Sequence, residues 1–285
     1  MSLARCCGIT RKGVRCSINA TSRLTDDGGR LIGEPLLHGG KYCRLHSRPF
    51  CTLPADFVGP AVVLLLDLET TGVDVASDQI VELAAYHAPS ERDLRGAAFS
   101  TVVNASAQDT AFHVHGIEAM EVAQGPQFGV VWCRFVSFVE ELQRQFVLDQ
   151  SDSECEDTPV VLPIEVPTVI LAAHNGVKFD FAMILFECRR HGCKWEPSFE
   201  DWLFVDTLSI VQSVVADLGG CAKLQCLVRG HCAELQAHRA LDDCMALGAV
   251  LQHIADMLGV SMLDVLRPFA MKVDVNASLA QMSVM

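Results

Sequence analysis

Two carboxylates, Asp67 and Glu69, stand one residue apart at the end of an apolar run, in the sequence VVLLLDLETTG of residues 62–72. Because successive side chains of a strand point to opposite faces, both carboxylates would project from the same face. Like charges at this distance are costly unless a positive charge lies between them. The pattern therefore indicates a divalent metal site, although a strand that runs out into a solvated turn would give the same sequence.

Two further groups of polar residues fall where a predicted strand or loop passes into a helix. They are HNGVKFD at 174–180 and HRALDD at 238–243. Ligand sites of α/β proteins are concentrated at such strand ends and helix starts. The three groups together predict one site that is assembled from distant parts of the chain.

The third group allows a geometric test of its members. Residues five apart on a helix lie about 140° apart, so His238 and Asp243 cannot share a face of one helix. We therefore expect His238 in the loop before the helix, free to reach a substrate, and Asp243 on the first turns. Asp242 is the rival carboxylate, and it would be the better partner of His238 if the helix began earlier.

The elements that must position these groups can be predicted from hydrophobic periodicity. Strands are expected at 61–67, 79–87, 97–104, 168–173 and 202–205, the second and third of them paired as a hairpin around 89–96. Helices are expected at 128–147, from the HNG turn onward, at 224–228, 240–258 and 262–271. Asp206, before one more helix, is expected to act as its N-cap. This order predicts an α/β fold with a mixed sheet and helices packed on it.

Length and composition limit the class of protein. The 285 residues, half of them hydrophobic with a mean hydropathy of +0.28, suit one large domain with a small appendage. No apolar run approaches the roughly 20 residues of a membrane-spanning helix. The first residues, MSLARCCGITRKG, lack the apolar stretch of a secretion signal. We therefore expect an intracellular protein of the nucleus or cytoplasm, whose thirteen cysteines are thiols or metal ligands rather than disulfides.

Charge is distributed unevenly along the chain. Residues 1–50 carry a net charge of +6. Because the whole chain has a net charge of −13, residues 51–285 carry −19. A basic appendage indicates a partner such as nucleic acid. The acidic body argues against broad, non-specific binding of duplexes, but it is compatible with a metal-dependent nuclease, whose own site is a cluster of carboxylates.

The basic segment 1–50 has too few large apolar residues to build its own core, and domains of this size usually need disulfides or a bound metal ion for stability. Its cysteines and one histidine fall in two clusters, which predicts a zinc site. The predicted ligands are Cys7, Cys16, Cys43 and His46, with Cys6 as the rival first ligand. The segment also resembles short zinc-binding modules of the form CGxTxxGxRC…YCxxH. A disordered basic tail with incidental cysteines is the alternative.

Residues 51–60, which are rich in proline, are predicted to be a linker, 61–272 the main domain and 273–285 a tail. Within 60–258, the three motifs DxETTG, HNGxxFD and HRALDD occur in order. In this respect the chain resembles the DEDDh class of 3′→5′ exonucleases, which includes proofreading subunits. The HNGxxFD form is similar to that of the three-prime repair exonucleases of animals. The resemblance implies an RNase H-like fold, with a mixed sheet of five strands flanked by helices.

The resemblance also implies roles for individual residues. Two Mg²⁺ or Mn²⁺ ions would be held by four carboxylates: Asp67, Glu69, Asp180 and Asp243. His238 would be the general base, which agrees with an unperturbed histidine pKa near 6.5. Hard oxygen ligands suit these cations, and two metal ions about 3.5–4 Å apart serve in-line phosphodiester hydrolysis well. The residues expected to contact the 3′ nucleotide or shape its pocket are Thr70, Thr71, Leu83, His115 and Asn175.

The predicted function is therefore that of a metal-dependent 3′→5′ exonuclease that acts on a free 3′ end, with single-stranded DNA as the favoured substrate. RNA is the alternative substrate, because the catalytic set does not read the sugar and discrimination would depend on contacts to the 2′ position. A catalytically silent module that binds nucleic acid or protein is the alternative of another class. The resemblance also implies a homodimer formed through an edge strand.

Overall fold

A mixed seven-stranded sheet organises Thr52–Val273, one of two compact units into which the chain divides. The computed structural model describes residues 24–25, 31–32, 52–88, 96–107, 109–152, 166–193, 201–214, 221–231, 239–274 and 278. The other unit comprises Met1–Cys51 and Asp274–Met285, and its described residues include two short antiparallel strands, β1 (Leu24–Thr25) and β2 (Leu31–Ile32). The predicted zinc ligands Cys7, Cys16, Cys43 and His46, and the rival Cys6, lie outside the described residues, so the zinc site stays a prediction.

The strands of the large sheet are β3 (Thr52–Pro54), β4 (Ala61–Thr70), β5 (Ile80–His87), β6 (Ala97–Val102), β7 (Thr168–Ala173), β8 (Leu203–Asp206) and β9 (Met271–Val273). Their spatial order is β3-β9-β8-β7-β4-β5-β6. The central strand, β4, is antiparallel to β5 and parallel to β7, and β7 is in turn parallel to β8. The predicted hairpin is present, because β5 and β6 pair antiparallel.

The described helices are α1 (Phe112–His115), α2 (Ala119–Gln124), α3 (Phe128–Asp152), α4 (Asp180–Arg190), α5 (Thr207–Val214), α6 (Leu224–His231), α7 (Ala240–Leu258) and α8 (Met262–Leu266), followed by a 3₁₀ turn at Arg267–Phe269. Helix α7 packs its apolar stripe on one face of the sheet, where Leu247, Leu251 and Ile254 join a core cluster with Leu65 of β4. Burial of this kind is the main stabilising term of a domain.

An aromatic cluster covers the opposite face of the sheet. Trp132 and Phe135 of α3 contact the ring of Trp202, with centroids 6.1 and 6.0 Å away. Phe181 of α4 meets Phe204 of β8 edge-on at 5.1 Å. Helices on both faces account for the nearly continuous burial of β4, which lies at the centre of a three-layer structure.

The α/β, RNase H-like fold is as predicted, but the sheet has seven strands rather than five. Residues 51–60, predicted to be a linker, contribute β3, which pairs with β9 far along the chain. The predicted helix at 262–271 ends at Leu266, because Pro268 in the following turn cannot donate a helical hydrogen bond. The chain then forms β9, which no local pattern indicated.

The expectation that all cysteines are thiols or metal ligands is wrong for one pair, since Cys221 and Cys226 are joined by a disulfide. Among the described residues, Cys133, Cys188, Cys193 and Cys244 are free. No single helix in the described part of the chain has the length and apolar character to cross a bilayer. One pair bent by 94°, Ala240–Leu258 with Met262–Phe269, meets those two criteria together, although its first helix is part of the core just described.

Candidate active site

The end of β4 carries the first two carboxylates. The strand continues to Thr70, three residues beyond its predicted end, and it pairs Asp67 with Ala84 and Glu69 with Glu82 of β5. Asp67 and Glu69 share the face of Leu65, the face on which α7 packs. The strand therefore presents both carboxylates to the start of that helix.

Helix α7 brings the third carboxylate to this strand. Oxygen atoms of Asp67, Glu69 and Asp243 all lie within 4.8 Å of one another, which makes them a group able to hold a cation. The helix begins at Ala240 with the amide of Asp243 bonded to the Arg239 carbonyl at 3.0 Å, so Asp243 lies on the first turn, as predicted. Asp242, the rival carboxylate, is not a member of this group.

Asp180, the first residue of α4, is the fourth carboxylate and is almost fully buried. Strand β4 extends beyond the end of β7, where the last paired residues are Leu65 and Ala172. On the edge that β7 does not cover, the backbone amide of Leu68 bonds to the Asp180 carboxylate. Asp180 is thereby attached to the strand residue that lies between Asp67 and Glu69.

Three of the four carboxylates have raised pKa values. Burial raises the pKa of Asp67 well above its usual range, and the neighbouring Asp180 and Asp243 raise it further. Burial, and then Asp243, raise the pKa of Glu69 to about 8. Burial likewise raises the pKa of Asp180 to about 7. A cluster of hard oxygen donors that repel one another fits one or more divalent cations of the Mg²⁺ or Mn²⁺ type.

A fifth carboxylate, Glu82, lies beside this cluster and already has partners. It accepts two hydrogen bonds from Arg239, from Nε at 3.1 Å and from Nη2 at 2.8 Å, and one from the Ala240 amide at 3.1 Å. Ser100 donates a fourth at 3.2 Å. Burial by itself would raise the pKa of Glu82, but the bonds from Arg239 and Ala240 outweigh it, and the pKa is lowered. Glu82 is therefore an ionised partner of the helix start.

The turn between β7 and α4 depends on Asn175 and Asp206. Asn175 has φ = 68°, and it is the one non-glycine residue with positive φ in the described part of the chain. Asparagine adopts this region more readily than most residues. The backbone amide of Asn175 donates to Oδ1 of Asp206 at 2.9 Å, and the same oxygen accepts from the backbone amide of Leu208 at 3.1 Å. Asp206 is thus the N-cap of α5, as predicted, and it also fixes the turn that precedes Asp180.

Both ring nitrogens of His174 contact other parts of the protein. Its Nε2 lies 2.9 Å from the Ala222 carbonyl and its Nδ1 3.2 Å from the Thr207 hydroxyl. Because a carbonyl can only accept, Nε2 carries the proton and Nδ1 accepts from Thr207. Burial lowers the pKa of His174, so the ring is neutral. His174 therefore links the end of β7 to the segment that follows Cys221.

The hydroxyl groups of the two threonines after Glu69 are used within the protein. Thr70 donates to the Gly72 carbonyl at 2.7 Å. Thr71 donates to Asp78 at 3.0 Å and accepts from the Gln79 amide at 3.0 Å. A Cβ at position 72 would lie 2.5 Å from the Asp78 carboxylate, so any other residue there would displace the side chain that Thr71 contacts. The backbone of Thr71 is also engaged, because its amide donates to the Gln79 carbonyl and its carbonyl accepts from the amide and the hydroxyl of Thr110. The substrate contacts of Thr70 and Thr71 stay a prediction.

Two residues predicted to line the base pocket are buried within the protein. Leu83 pairs with Leu68, is fully buried, and lies on the face opposite Asp67. His115 is also buried, with Nδ1 accepting from the Ile117 amide at 3.0 Å and Nε2 3.2 Å from Asp109. Strand register thus makes Leu83 a core residue on the face away from Asp67, and the contact of His115 with a nucleotide stays a prediction.

His238 lies outside the described residues, and its role as general base stays a prediction. Its neighbour Arg239 is described and is fixed by Glu82. Sequence reasoning missed Glu82 as a functional residue. A signal was present, since a carboxylate in the middle of the apolar strand IVELAAYH is a charge that needs a partner.

Three comparisons relate this geometry to known proteins. A family model described as Exonuclease (RNase T) matches residues 64–157 and 164–251, which is more than half of the chain. The Arabidopsis thaliana protein "Exonuclease DPD1, chloroplastic/mitochondrial" is 27% identical over 231 residues, which cover 77% of this chain and 64% of that protein.

Among solved structures, cell-death related nuclease 4 (CRN-4) is 15% identical with a TM-score of 0.51, covering 70% of this chain and 65% of that one. The E. coli ExoI–ssDNA complex in its zinc-bound form is 18% identical with a TM-score of 0.51, covering 72% of this chain and 42% of that one. At these identities the two likenesses show the fold alone. The chain spans less than two thirds of the length of each of these three proteins.

Proposed function

The chain belongs to the RNase T exonuclease family, and from this premise we propose that it is a 3′→5′ exonuclease that uses divalent metal ions to hydrolyse nucleic acid, with single-stranded DNA as the favoured substrate. The observation that carries the proposal is the group of oxygen atoms from Asp67, Glu69 and Asp243 within 4.8 Å. The E. coli enzyme of the same fold is described with single-stranded DNA, which supports that substrate as the first to test.

The four carboxylates have a binding role in this proposal. Asp67, Glu69, Asp180 and Asp243 would hold two Mg²⁺ or Mn²⁺ ions, which when bound supply charge neutralisation at the scissile phosphate and a more acidic water. The mutual repulsion of these carboxylates favours such occupancy, because a bound cation removes the cost of burying like charges together.

His238 is proposed as the general base. It directly precedes Arg239, whose backbone starts α7, so the sequence places it next to the turn that carries Asp243. An imidazole with a pKa near neutrality can remove the proton of an attacking water at physiological pH. Thr70 and Thr71 directly follow Glu69 in the sequence, and we propose that this turn lies beside the terminal nucleotide.

The proposal is tested by incubating the purified full-length protein with oligonucleotides labelled at the 5′ end, as single-stranded DNA, duplex DNA and RNA, with Mg²⁺ or with EDTA. Stepwise shortening of 5′-labelled DNA in Mg²⁺ and none in EDTA is the expected result. Preferential digestion of RNA would show that RNA, and not DNA, is the favoured substrate. Absence of metal-dependent digestion of every substrate would contradict the enzyme and favour a silent binding module.

A further inference from the structure

Glu82 is a buried carboxylate that the proposed reaction does not use. It is 1% exposed, and four donor groups from three residues converge on its two oxygens: two from Arg239, one from Ala240 and one from Ser100. Because these donors fill its acceptor sites, Glu82 is not available as an additional metal ligand. It is also absent from the group of oxygens that could hold a cation.

The contacts of Glu82 lie at the start of the helix that carries Asp243. Arg239, the N-cap residue of α7, has an extended backbone and no capping bond from its own side chain. The Glu82 carboxylate supplies that acceptor from strand β5, at the Ala240 amide. The first helical bond of α7 then runs from the Asp243 amide to the Arg239 carbonyl.

Strand register connects this contact to the metal ligands. Glu82 is the direct partner of Glu69 across β4 and β5. This residue pair therefore combines a predicted metal ligand, Glu69 on β4, with the residue that bonds to the start of α7, Glu82 on β5. Directly opposed residues have Cβ atoms about 4.5–5.5 Å apart, so this pair fixes where the helix start lies relative to Glu69.

We propose that Glu82 is a positioning residue: through bidentate contact with Arg239 and a bond to the Ala240 amide, it holds the first turn of α7 so that Asp243 meets Asp67 and Glu69. The proposal rests on the proposed function for its catalytic consequence, but its structural part does not. Arg239 has a second role in the same contact, because its positive charge offsets the negative charge of Glu82 beside the cluster.

The test compares Glu82→Gln and Arg239→Gln with Glu187→Gln in the full chain. Glu187 is a matched control, since it is also 1% exposed and is paired with a cation, Arg190, but on the last turns of α4. Hydrogen exchange of peptides covering 239–247, Mn²⁺ affinity by electron paramagnetic resonance, and kcat and KM on single-stranded DNA are measured for each.

In Glu82→Gln we expect faster exchange at 240–244, weaker Mn²⁺ binding, and a kcat lowered by roughly 10–100-fold with KM little changed, since small misplacements of reacting groups cost about this much. Arg239→Gln should show the same pattern, and the double variant should be less impaired than the two single effects predict together. Glu187→Gln should keep wild-type exchange at 240–244 and wild-type Mn²⁺ affinity.

Two outcomes would overturn the inference. One is wild-type exchange at 240–244 in both Glu82→Gln and Arg239→Gln. The other is a rise in KM alone in Arg239→Gln, which would make Arg239 a substrate contact. If Glu82→Gln does not fold, Arg239→Gln carries the test, because its side chain is 45% exposed. If the wild-type protein cleaves no nucleic acid, the proposed function fails, while the exchange and Mn²⁺ measurements still decide the structural inference.

Discussion

The carboxylates of the candidate site come from two kinds of element, and the two pairs are held differently. Asp67 and Glu69 belong to the central strand, where hydrogen bonds to β5 fix their separation and their common face. Asp180 and Asp243 each lie at the first turn of a helix. The position of a helix start depends on the turn before it. Asp180 and Asp243 therefore need contacts that hold those turns in place, whereas Asp67 and Glu69 are held by the strand itself.

That support comes from two acids outside the predicted ligand set. Asp206 accepts a hydrogen bond from the backbone amide of Asn175 in the turn before α4. Glu82 accepts hydrogen bonds from the Arg239 side chain and from the Ala240 amide at the start of α7. Each acid lies on a strand of the same sheet, in β8 or β5. The difference between the two pairs suggests that the sheet positions all four carboxylates, two of them directly and two through an intermediate acid.

The largest expected effect on activity follows the removal of any one of the four proposed ligands. Asp67→Ala, from the strand pair, and Asp243→Ala, from the helix pair, should each abolish hydrolysis in Mg²⁺ while the far-ultraviolet circular dichroism stays unchanged. Asp242→Ala is the matched control, and it should keep activity because Asp242 is not a member of the cluster. Full activity in Asp243→Ala with loss in Asp242→Ala would show that the neighbouring carboxylate is the ligand.

Replacement of the predicted general base should have the next largest effect. His238→Ala is expected to lower kcat by about 10²–10⁴-fold, the usual contribution of a general base. Mn²⁺ affinity should not change, since His238 is not among the proposed ligands. An unaltered pH–rate profile and rate in this variant would remove His238 from the mechanism.

Asp206 tests whether the helix pair depends on its supports. Asp206→Ala removes the acceptor for the Asn175 and Leu208 amides, so we expect a kcat lowered by roughly tenfold or more and a free energy of unfolding lowered by about 1 kcal/mol through the lost cap. Asp206→Asn keeps an acceptor oxygen and should lose less of both. If Asp206→Ala unfolds more easily but keeps its kcat, the turn before Asp180 does not limit the reaction.

The smallest expected effect is on the stability of the metal-free protein. The pKa of Glu69 is raised to about 8 and that of Asp180 to about 7, both chiefly by burial. Between roughly pH 5 and pH 8 the folded state therefore binds more protons than the unfolded state, and the free energy of unfolding must fall as pH rises. In EDTA, the melting temperature should decline over this interval.

Glu69→Gln supplies the control for this decline. By removing one of the repelling charges, it should raise the melting temperature in EDTA at pH 8 by roughly 2–4 °C, for an effect on the order of 1 kcal/mol. Mg²⁺ should stabilise the wild-type protein more at pH 8 than at pH 6, because protons compete for the same oxygens. A melting temperature that rises with pH in EDTA would contradict the clustering of these carboxylates.

Local patterns predicted the parts of the fold that depend on nearby residues. The alternation around Asp67 predicted a strand that presents two carboxylates on one face, and helix α7 was predicted with its observed bounds, 240–258. Strand β9 escaped detection because three residues carry no periodicity, and its partner β3 lies more than 200 residues earlier in the chain.

The candidate site was harder to predict where it depends on register. Leu83 was assigned to the base pocket, but register places it against Leu68 on the other face, while Glu82, one residue before it, adjoins the cluster. A shift of one residue exchanges the two faces of a strand. The partner of Glu82, Arg239, is 157 residues away, and nothing in either local sequence connects them.

Gly248 of α7 lies where this helix approaches the strand that carries two of the proposed ligands. A methyl group at this position would come within 2.8 Å of Cδ1 of Leu65, on the strand that carries Asp67. Gly248 lies five residues beyond Asp243, about 7.5 Å along the helix axis. A side chain at position 248 would therefore require Leu65 to move or helix α7 to lie farther from the strand, so the small size of Gly248 allows the close approach of these two elements.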